Sequence, residues 1–183
     1  TEYLGDEWFS LYKHAVEFGK EIGMNVWIYD ENSYPSGFAG GHVPQEMPES
    51  YNQGQGLALT KAELLPEDTA PYYMCLKKDI TDQIADYKGT KGEYYLYKKT
   101  YMGKSDWYGG YSYVDLLVPG VTEKFLEVTM KNGYEKKFKE DFGSYIKGIF
   151  SDEPNISSPG GLRWTPDLFE VFLQKWGYDL KPL

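Results

Sequence analysis

Two short apolar segments of this chain each end on a pair of adjacent carboxylates, and this pattern restricts the possible folds more than any other feature. Met24–Tyr29 is followed directly by Asp30–Glu31, and Ile146–Phe150 is followed, after one serine, by Asp152–Glu153. Both segments have the apolar character of strands in the interior of a parallel sheet. A charged carboxylate is costly to bury without a partner. We therefore expect both pairs at strand ends that open onto a cleft.

Segments with helical periodicity alternate with these strands. A helix is predicted over Asp6–Ile22, a second from Pro119 onwards, and a last one from Thr165–Pro166. Val114–Leu117 is predicted as a further short strand. Alternating helices and buried strands favour a parallel sheet with right-handed crossovers, open or closed into a barrel, whose site lies at the carboxyl ends of the strands. That edge would gather Asp115 together with both carboxylate pairs.

The middle of the chain has a different character. Between Leu57 and Tyr101, short segments rich in tyrosine and other strand-forming residues are separated by proline and glycine, which is typical of antiparallel strands joined by turns. The sequence therefore predicts three parts. Residues 1–56 hold the first helix and strand of the α/β part, residues 57–101 form a small, mostly antiparallel insertion, and residues 102–183 hold further strands and helices of the α/β part.

Composition limits the classes of partner. The 183 residues include 19 Lys and Arg against 28 Asp and Glu, so the net charge is −9, which disfavours nucleic acid and anionic membranes as main partners. The chain has one cysteine and two histidines, too few for an internal disulfide or for a metal centre built from these residues. No apolar run approaches the roughly 20 residues of a membrane helix. Neutral or cationic ligands fit this balance better.

Four segments carry a more specific signal: NVWIYDENSYPSGFAGG, YVDLLVPGVTEKF, GIFSDEPN and WTPDLFEVFLQKWGYDL. They are similar to segments of the catalytic barrel of bacterial α-L-rhamnosidase-like glycoside hydrolases, which degrade complex polysaccharides. The resemblance implies a (β/α)8 barrel of the TIM type, of which this chain would hold only a part, because such a barrel takes about 250 residues. It also implies that the rest of the same polypeptide completes the barrel and carries a second catalytic carboxylate. The expected substrate is a carbohydrate, and the expected location is periplasmic or secreted, with the export signal removed.

The chemistry of glycoside hydrolysis, together with this resemblance, selects Glu153 as the general acid. Cleavage needs one carboxylic acid that protonates the leaving oxygen and a second carboxylate that acts as nucleophile or base. The Asp-Glu-Pro step at residues 152–154 is also distantly similar to the Asn-Glu-Pro step of clan A glycosidases, whose glutamate is the acid/base. The structural alternatives are that Glu153 caps the following loop or pairs with Arg163.

Other polar side chains near the predicted strand ends are expected to hydrogen-bond sugar hydroxyls. For the first carboxylate pair, capping of the loop that contains Pro35–Gly37 is an equally good interpretation. The candidates for sugar binding are Asp30, Glu31, His42, Asp115 and Asp152.

Tryptophans are the candidates for stacking, because aromatic rings fit the apolar faces of pyranoses. Trp107 and Trp164 lie in predicted loops and are expected to serve in this way. Trp27 lies within the first predicted strand, where core packing is the expected role.

Two other classes of function fit parts of the pattern. One is a non-catalytic carbohydrate-binding module or an inactive barrel remnant, since only one half of an acid pair is assigned. The other is a calcium site built from Asp30, Glu31, Asp152 and Glu153, although the spacing of an EF-hand is lacking. Apart from this calcium alternative, no cofactor or metal is expected.

Overall fold

The computed structural model describes residues 1–77 and 84–181, which belong to two compact units. The first unit comprises Thr1–Tyr51 and Gly103–Ile156, and the second comprises Asn52–Met102 and Ser157–Leu183. Part of the predicted insertion, residues 78–83, lies outside the described residues. The predicted division differs at its boundaries. Residues 157–183 were expected to continue the α/β part, but they belong to the second unit together with the insertion. The same is true of residues 52–56 and 102.

The first and last thirds of the chain contain both helices and strands, and strands dominate the middle. Short 3₁₀ segments occupy Ala39–Gly41, Ile84–Tyr87, Asp106–Tyr108 and Lys139–Asp141, and a π-helical segment occupies Glu127–Tyr134. The regular elements are α1 (Asp6–Ile22), β1 (Val26–Tyr29), α2 (His42–Glu46), α3 (Glu49–Asn52), β2 (Gly56–Leu64), β3 (Met74–Lys77), β4 (Lys91–Thr100), α4 (Val121–Leu126), α5 (Glu135–Phe138), β5 (Ile146–Phe150), β6 (Leu162–Arg163) and α6 (Leu168–Trp176).

The first unit is built on the parallel pairing of β1 with β5. Val26 lies opposite Ile146, and Tyr29 lies opposite Phe150, so the predicted parallel arrangement of these two strands is confirmed. Among the described residues this sheet has two strands and does not close into a barrel. Because both strands run in the same direction, the two carboxylate pairs follow the same end of the sheet.

Helix α1, the π-helical segment and α5 form a core in the first unit with the strand pair. Helix α1 is confirmed over its predicted length, and it ends at Gly23, whose φ of 72° is the left-handed conformation that glycine adopts readily. Its ring contacts include Phe9 against Tyr134, with centroids 5.4 Å apart. The buried members of this core are Phe9, Val16, Ile28, Tyr134, Phe138 and Ile146.

The strand pair is buried less completely than the sequence suggests. Trp27, which was expected to pack in the core, is 59% exposed, and Ile149 and Phe150 are 47% and 53% exposed. The expectation of two strands buried on both faces is therefore wrong for the described residues. The core side chains of β1 and β5 contact the helices, whereas these large apolar side chains remain open to solvent.

The predicted strand at Val114–Leu117 is also not formed. Asp115 instead closes a turn, because its Oδ1 accepts a hydrogen bond from the Leu117 N–H at 3.0 Å and its carbonyl accepts one from the Val118 N–H at 3.0 Å. A four-residue stretch with three apolar residues, one position before a Pro-Gly step, is too short to distinguish a strand from the approach to a turn.

The second unit contains a four-stranded antiparallel sheet in the order β3-β4-β2-β6. Strands β2 and β4 pair along most of their length, and Leu57 of β2 also lies opposite Leu162 of β6. The predicted antiparallel character of the insertion is confirmed for its described residues. The last predicted helix is present as α6 and ends at Gly177, whose φ is 76°. The buried cluster of this unit consists of Leu65, Tyr94 and Leu96.

Candidate functional site

The candidate site lies where the loops that follow β1 and β5 meet, in the first unit. Asp30 extends the strand pairing, since its N–H donates to the Phe150 carbonyl at 3.2 Å. Ser36 then joins the two loops. Its N–H donates to the Asp152 carbonyl at 2.8 Å, and its Oγ accepts from the Asp152 N–H at 2.9 Å. We call Asp30, Glu31, Asp152 and Glu153 the acidic strand end.

Glu31 is fully buried and organises the loop that follows it. Its Oε2 accepts hydrogen bonds from the N–H groups of Gly37, Phe38 and Ala39 at 3.2, 3.0 and 2.6 Å. Its Oε1 accepts two more, from Asn32 at 3.1 Å and from residue 40 at 2.6 Å. A carboxylate that accepts five backbone donors has no capacity left for a sugar hydroxyl. This geometry agrees with the loop-capping interpretation and does not support sugar binding by Glu31.

Asp30 is buried as well. Its Oδ1 accepts a hydrogen bond from the Ser36 hydroxyl at 2.6 Å. Burial raises the pKa of Asp30, while the Ser36 hydroxyl acts in the opposite direction. Asp30 therefore supports the junction of the two loops through its hydrogen bond with Ser36. Its burial disfavours direct contact with a substrate.

The two buried acids predict an unusual dependence of stability on pH. Burial raises the pKa of Glu31 from 4.5 to about 7, although its backbone donors oppose the rise. Between these values the folded state binds more protons than the unfolded state, so the free energy of unfolding should fall as the pH rises towards 7. Glu31 alone contributes a loss of roughly 3 kcal/mol, and Asp30 acts in the same direction. Urea denaturation at pH 5 and pH 8 measures this difference, and greater stability at pH 8 would contradict it.

Asp152 is half-buried and held by a tyrosine of β1. The Tyr29 hydroxyl donates to Asp152 Oδ2 at 2.9 Å, and the Tyr29 ring stacks on Phe150 with centroids 5.7 Å apart. Burial, followed by the hydrogen bond to Asp152, raises the pKa of Tyr29 to about 12, so the phenol remains a donor at neutral pH. Asp152 is thereby fixed in position next to Glu153.

Glu153 differs from the other three members of the acidic strand end because it is exposed. Its Oε2 accepts a hydrogen bond from the Tyr34 hydroxyl at 2.8 Å. Its φ of 41° lies in the left-handed region, which costs a residue with a side chain about 1–2 kcal/mol. An exposed carboxylate at the end of a strand is thus held in a strained backbone conformation.

Trp107 extends the site from a different part of the first unit. It is 55% exposed, and its indole N–H donates to the Tyr34 carbonyl. The 3₁₀ segment that carries it is capped by Ser105, whose Oγ accepts from the Trp107 N–H at 3.1 Å. Tyr34, itself 47% exposed, therefore contacts both Trp107 and Glu153. An exposed indole linked in this way to an exposed acid retains the predicted capacity to stack on a sugar.

The structure does not bring the remaining predicted sugar contacts into this arrangement. His42 begins α2, and its Nε2 donates to the Tyr3 carbonyl at 3.0 Å. Asp115 is buried in the turn described above. Trp164 belongs to the second unit, where it is buried and contacts the Tyr73 ring at a centroid distance of 4.8 Å. A buried indole cannot present a face to a sugar, so the stacking role expected for Trp164 is not supported.

Arg163, the residue named above as an alternative partner of Glu153, belongs to the second unit. It donates from Nη1 to the Trp164 carbonyl at 3.2 Å.

Tyr34 and Ser36 are contributors that the sequence did not reveal as such. Both lie in a segment whose proline and glycine content indicates only a loop. The hydrogen bonds that define their roles join residues more than 70 positions apart, for example the bond from the Tyr113 hydroxyl to the Ser36 carbonyl at 2.6 Å. For Ser36, the preference of a buried hydroxyl for hydrogen-bond partners is the relevant signal, but its burial cannot be read from the sequence.

Within residues 1–77 and 84–181, no group of three or more His, Cys, Asp or Glu side chains is arranged to hold a metal ion. No helix in that same part of the chain has the length and apolar character needed to cross a bilayer. Comparisons with protein-family models, with curated proteins and with solved structures gave no match to this chain.

Proposed function

We propose that this chain contributes the acid side of the catalytic site of an α-L-rhamnosidase-like glycoside hydrolase that acts on plant or other complex polysaccharides. Glu153 is the proposed general acid. The observation that carries the proposal is the combination found at Glu153: an exposed carboxyl at the end of a parallel strand, a left-handed φ, and a tyrosine that joins it to an exposed tryptophan.

Backbone strain at an exposed residue supports a functional interpretation. A positive φ at a glutamate destabilises the folded state, and such strain concentrates at active sites and ligand-binding positions. Glycine would relieve it, and the chain uses glycine freely elsewhere, with a positive φ at Gly160 and Gly161 a few residues further on. A glutamate retained in this conformation is explained if its carboxyl group is needed there.

The reaction requires a second carboxylate besides the acid. The two groups must lie about 5 Å apart for retention of configuration, or roughly 6.5 to 9.5 Å apart for inversion. Asp30 and Glu31 are buried, and Asp152 is held by Tyr29. In this proposal the nucleophile or base comes from another strand end of the same polypeptide, while Glu153 protonates the substrate and Trp107 stacks on the sugar.

The strand pair supports the proposal of a partial (β/α)8 barrel. Parallel sheets are normally covered on both faces and contain more than two strands. The 59% exposure of Trp27 and the exposure of Phe150 are consistent with additional strands and helices that cover this side in the complete protein. Those additional strands and helices would then bury the apolar side chains of β1 and β5, as their sequence leads one to expect.

Hydrolysis of aryl glycosides by the full-length protein tests the proposal directly. We expect cleavage of at least one substrate in a panel that includes α-L-rhamnosides, together with saturable binding of the corresponding sugar. If the protein binds sugars and cleaves none of the panel, the alternative of a non-catalytic carbohydrate-binding module is favoured. If it neither binds nor cleaves them, the proposal is wrong.

A further inference from the structure

Tyr34 makes the hydrogen bond to the side chain of Glu153, and nothing in its sequence context assigns it a role. Its hydroxyl donates to Glu153 Oε2 at 2.8 Å, and its main-chain carbonyl accepts the Trp107 indole N–H. The ring is 47% exposed, so it is not retained for core packing. One residue thus links the proposed acid to the proposed stacking surface.

The backbone around Tyr34 is held mainly on its carboxyl-terminal side. Before Tyr34, the Tyr29 hydroxyl, whose single proton is donated to Asp152 at 2.9 Å, lies 3.3 Å from the Ser33 carbonyl. After it, Ser36 makes its two hydrogen bonds to the backbone of Asp152, the residue that precedes Glu153. The loop that carries the phenol and the loop that carries the acid are therefore joined next to the point where the two side chains meet. This arrangement limits the positions that the Glu153 carboxyl can adopt relative to Tyr34.

The hydrogen bond also distinguishes the two oxygens of Glu153. A phenol that donates to Oε2 occupies a lone pair of that oxygen whether the carboxyl group is ionised or protonated. Because an oxygen that accepts a hydrogen bond is less readily protonated, the transferable proton of the acid is favoured on Oε1. The bond to Glu153 raises the pKa of the Tyr34 phenol, which keeps its proton in place at neutral pH.

We propose that Tyr34 is a positioning residue for the acid: it holds Oε2 of Glu153 so that Oε1 presents the proton to the leaving oxygen of the glycoside. This inference rests on the proposed function. Proton transfer to a leaving group depends on the placement of the acid within hydrogen-bond reach, and errors of about 1 Å in placement can reduce rates by about 10²-fold. Tyr34 itself loses no proton and forms no covalent bond in the reaction.

The test is the Tyr34→Phe variant of the full-length protein, which keeps the ring and removes the donor. We expect turnover of glycosides with poor leaving groups to fall by about 10- to 100-fold, with KM changed less than threefold by our estimate. Activated aryl glycosides, which need little protonation, should be cleaved at nearly the parent rate. A purely structural effect would lower turnover of both classes of substrate together, so the dependence on the leaving group is the diagnostic measurement.

Tyr145→Phe is the matched control. Tyr145 is also exposed, at 41%, and it precedes β5, whereas Glu153 follows that strand. This control should match the parent protein with every substrate. If the parent protein is active and Tyr34→Phe cleaves both classes at the parent rate, or loses both equally, the positioning role is overturned while the proposed function stands. If the parent protein cleaves no glycoside, both proposals are overturned.

Discussion

Replacing Glu153 by Gln should lower the turnover of glycosides with poor leaving groups by about 10²- to 10⁴-fold. The amide preserves the size of the side chain and an oxygen that can accept the hydrogen bond from Tyr34, but it has no acidic proton. The left-handed backbone at residue 153 would be occupied by another residue with a side chain, so no change in strain is expected. The measurement is kcat and kcat/KM of the full-length variant for natural linkages.

The dependence on the leaving group separates loss of the acid from loss of the fold. Activated aryl glycosides need little protonation and should lose much less than natural linkages, and sugar binding should persist. Glu21→Gln is the matched control, because Glu21 is an exposed glutamate near the end of α1, before the amino-terminal end of β1. Hydrolysis of natural linkages by the Glu153→Gln protein at the parent rate would exclude Glu153 as the acid.

The elements that the sequence predicted correctly are those whose signals are local. The 3.6-residue periodicity of α1 and the glycine at its end are properties of one short segment, and helix geometry follows directly from them. The parallel pairing of β1 with β5 could also be inferred, because a helix that lies between two strands favours this topology. The two carboxylate pairs were expected to follow the same end of the sheet for that reason, and the pairing agrees.

The roles of the individual carboxylates could not be predicted in the same way. Asp30 and Glu31 are adjacent in sequence, as are Asp152 and Glu153, yet Asp30 and Glu31 are buried, Asp152 is half-buried and only Glu153 is exposed. Which of them turns towards backbone N–H groups depends on the path of the loop, and that path depends on partners such as Tyr113, which lies far away in sequence. Asp115 shows the same difficulty, because a turn replaced the strand whose end it was expected to mark.

A series of hydrogen bonds leads from Glu31 to Glu153. The buried Glu31 accepts hydrogen bonds from the backbone of the loop after β1, and Ser36 of that loop binds the backbone of Asp152. The loop then presents Tyr34 to Glu153 at 2.8 Å. The candidate site therefore depends on a carboxylate that cannot itself contact the substrate, and a change at Glu31 should affect both stability and activity.

Replacing Glu31 by Gln should lower the free energy of unfolding of the first unit by about 2 to 4 kcal/mol. The carboxylate presents two accepting oxygens to the five backbone donors, whereas the amide presents one oxygen and an NH2 group. At least two buried N–H groups would then face a donor in place of an acceptor. Urea denaturation followed by tryptophan fluorescence measures the loss.

Two comparisons make this prediction specific to the five backbone N–H groups that donate to Glu31. Glu49→Gln, a change at an exposed glutamate, should alter stability by less than about 0.5 kcal/mol. Asp30→Asn retains an oxygen that can accept from the Ser36 hydroxyl, so it should cost less than Glu31→Gln.

The Glu31→Gln protein should also lose most of the fall in stability between pH 5 and pH 8, because the titrating group is gone. A variant as stable as the parent protein at both pH values would show that these five hydrogen bonds do not hold the loop, and the support that Glu31 gives to Tyr34 would then have to be abandoned.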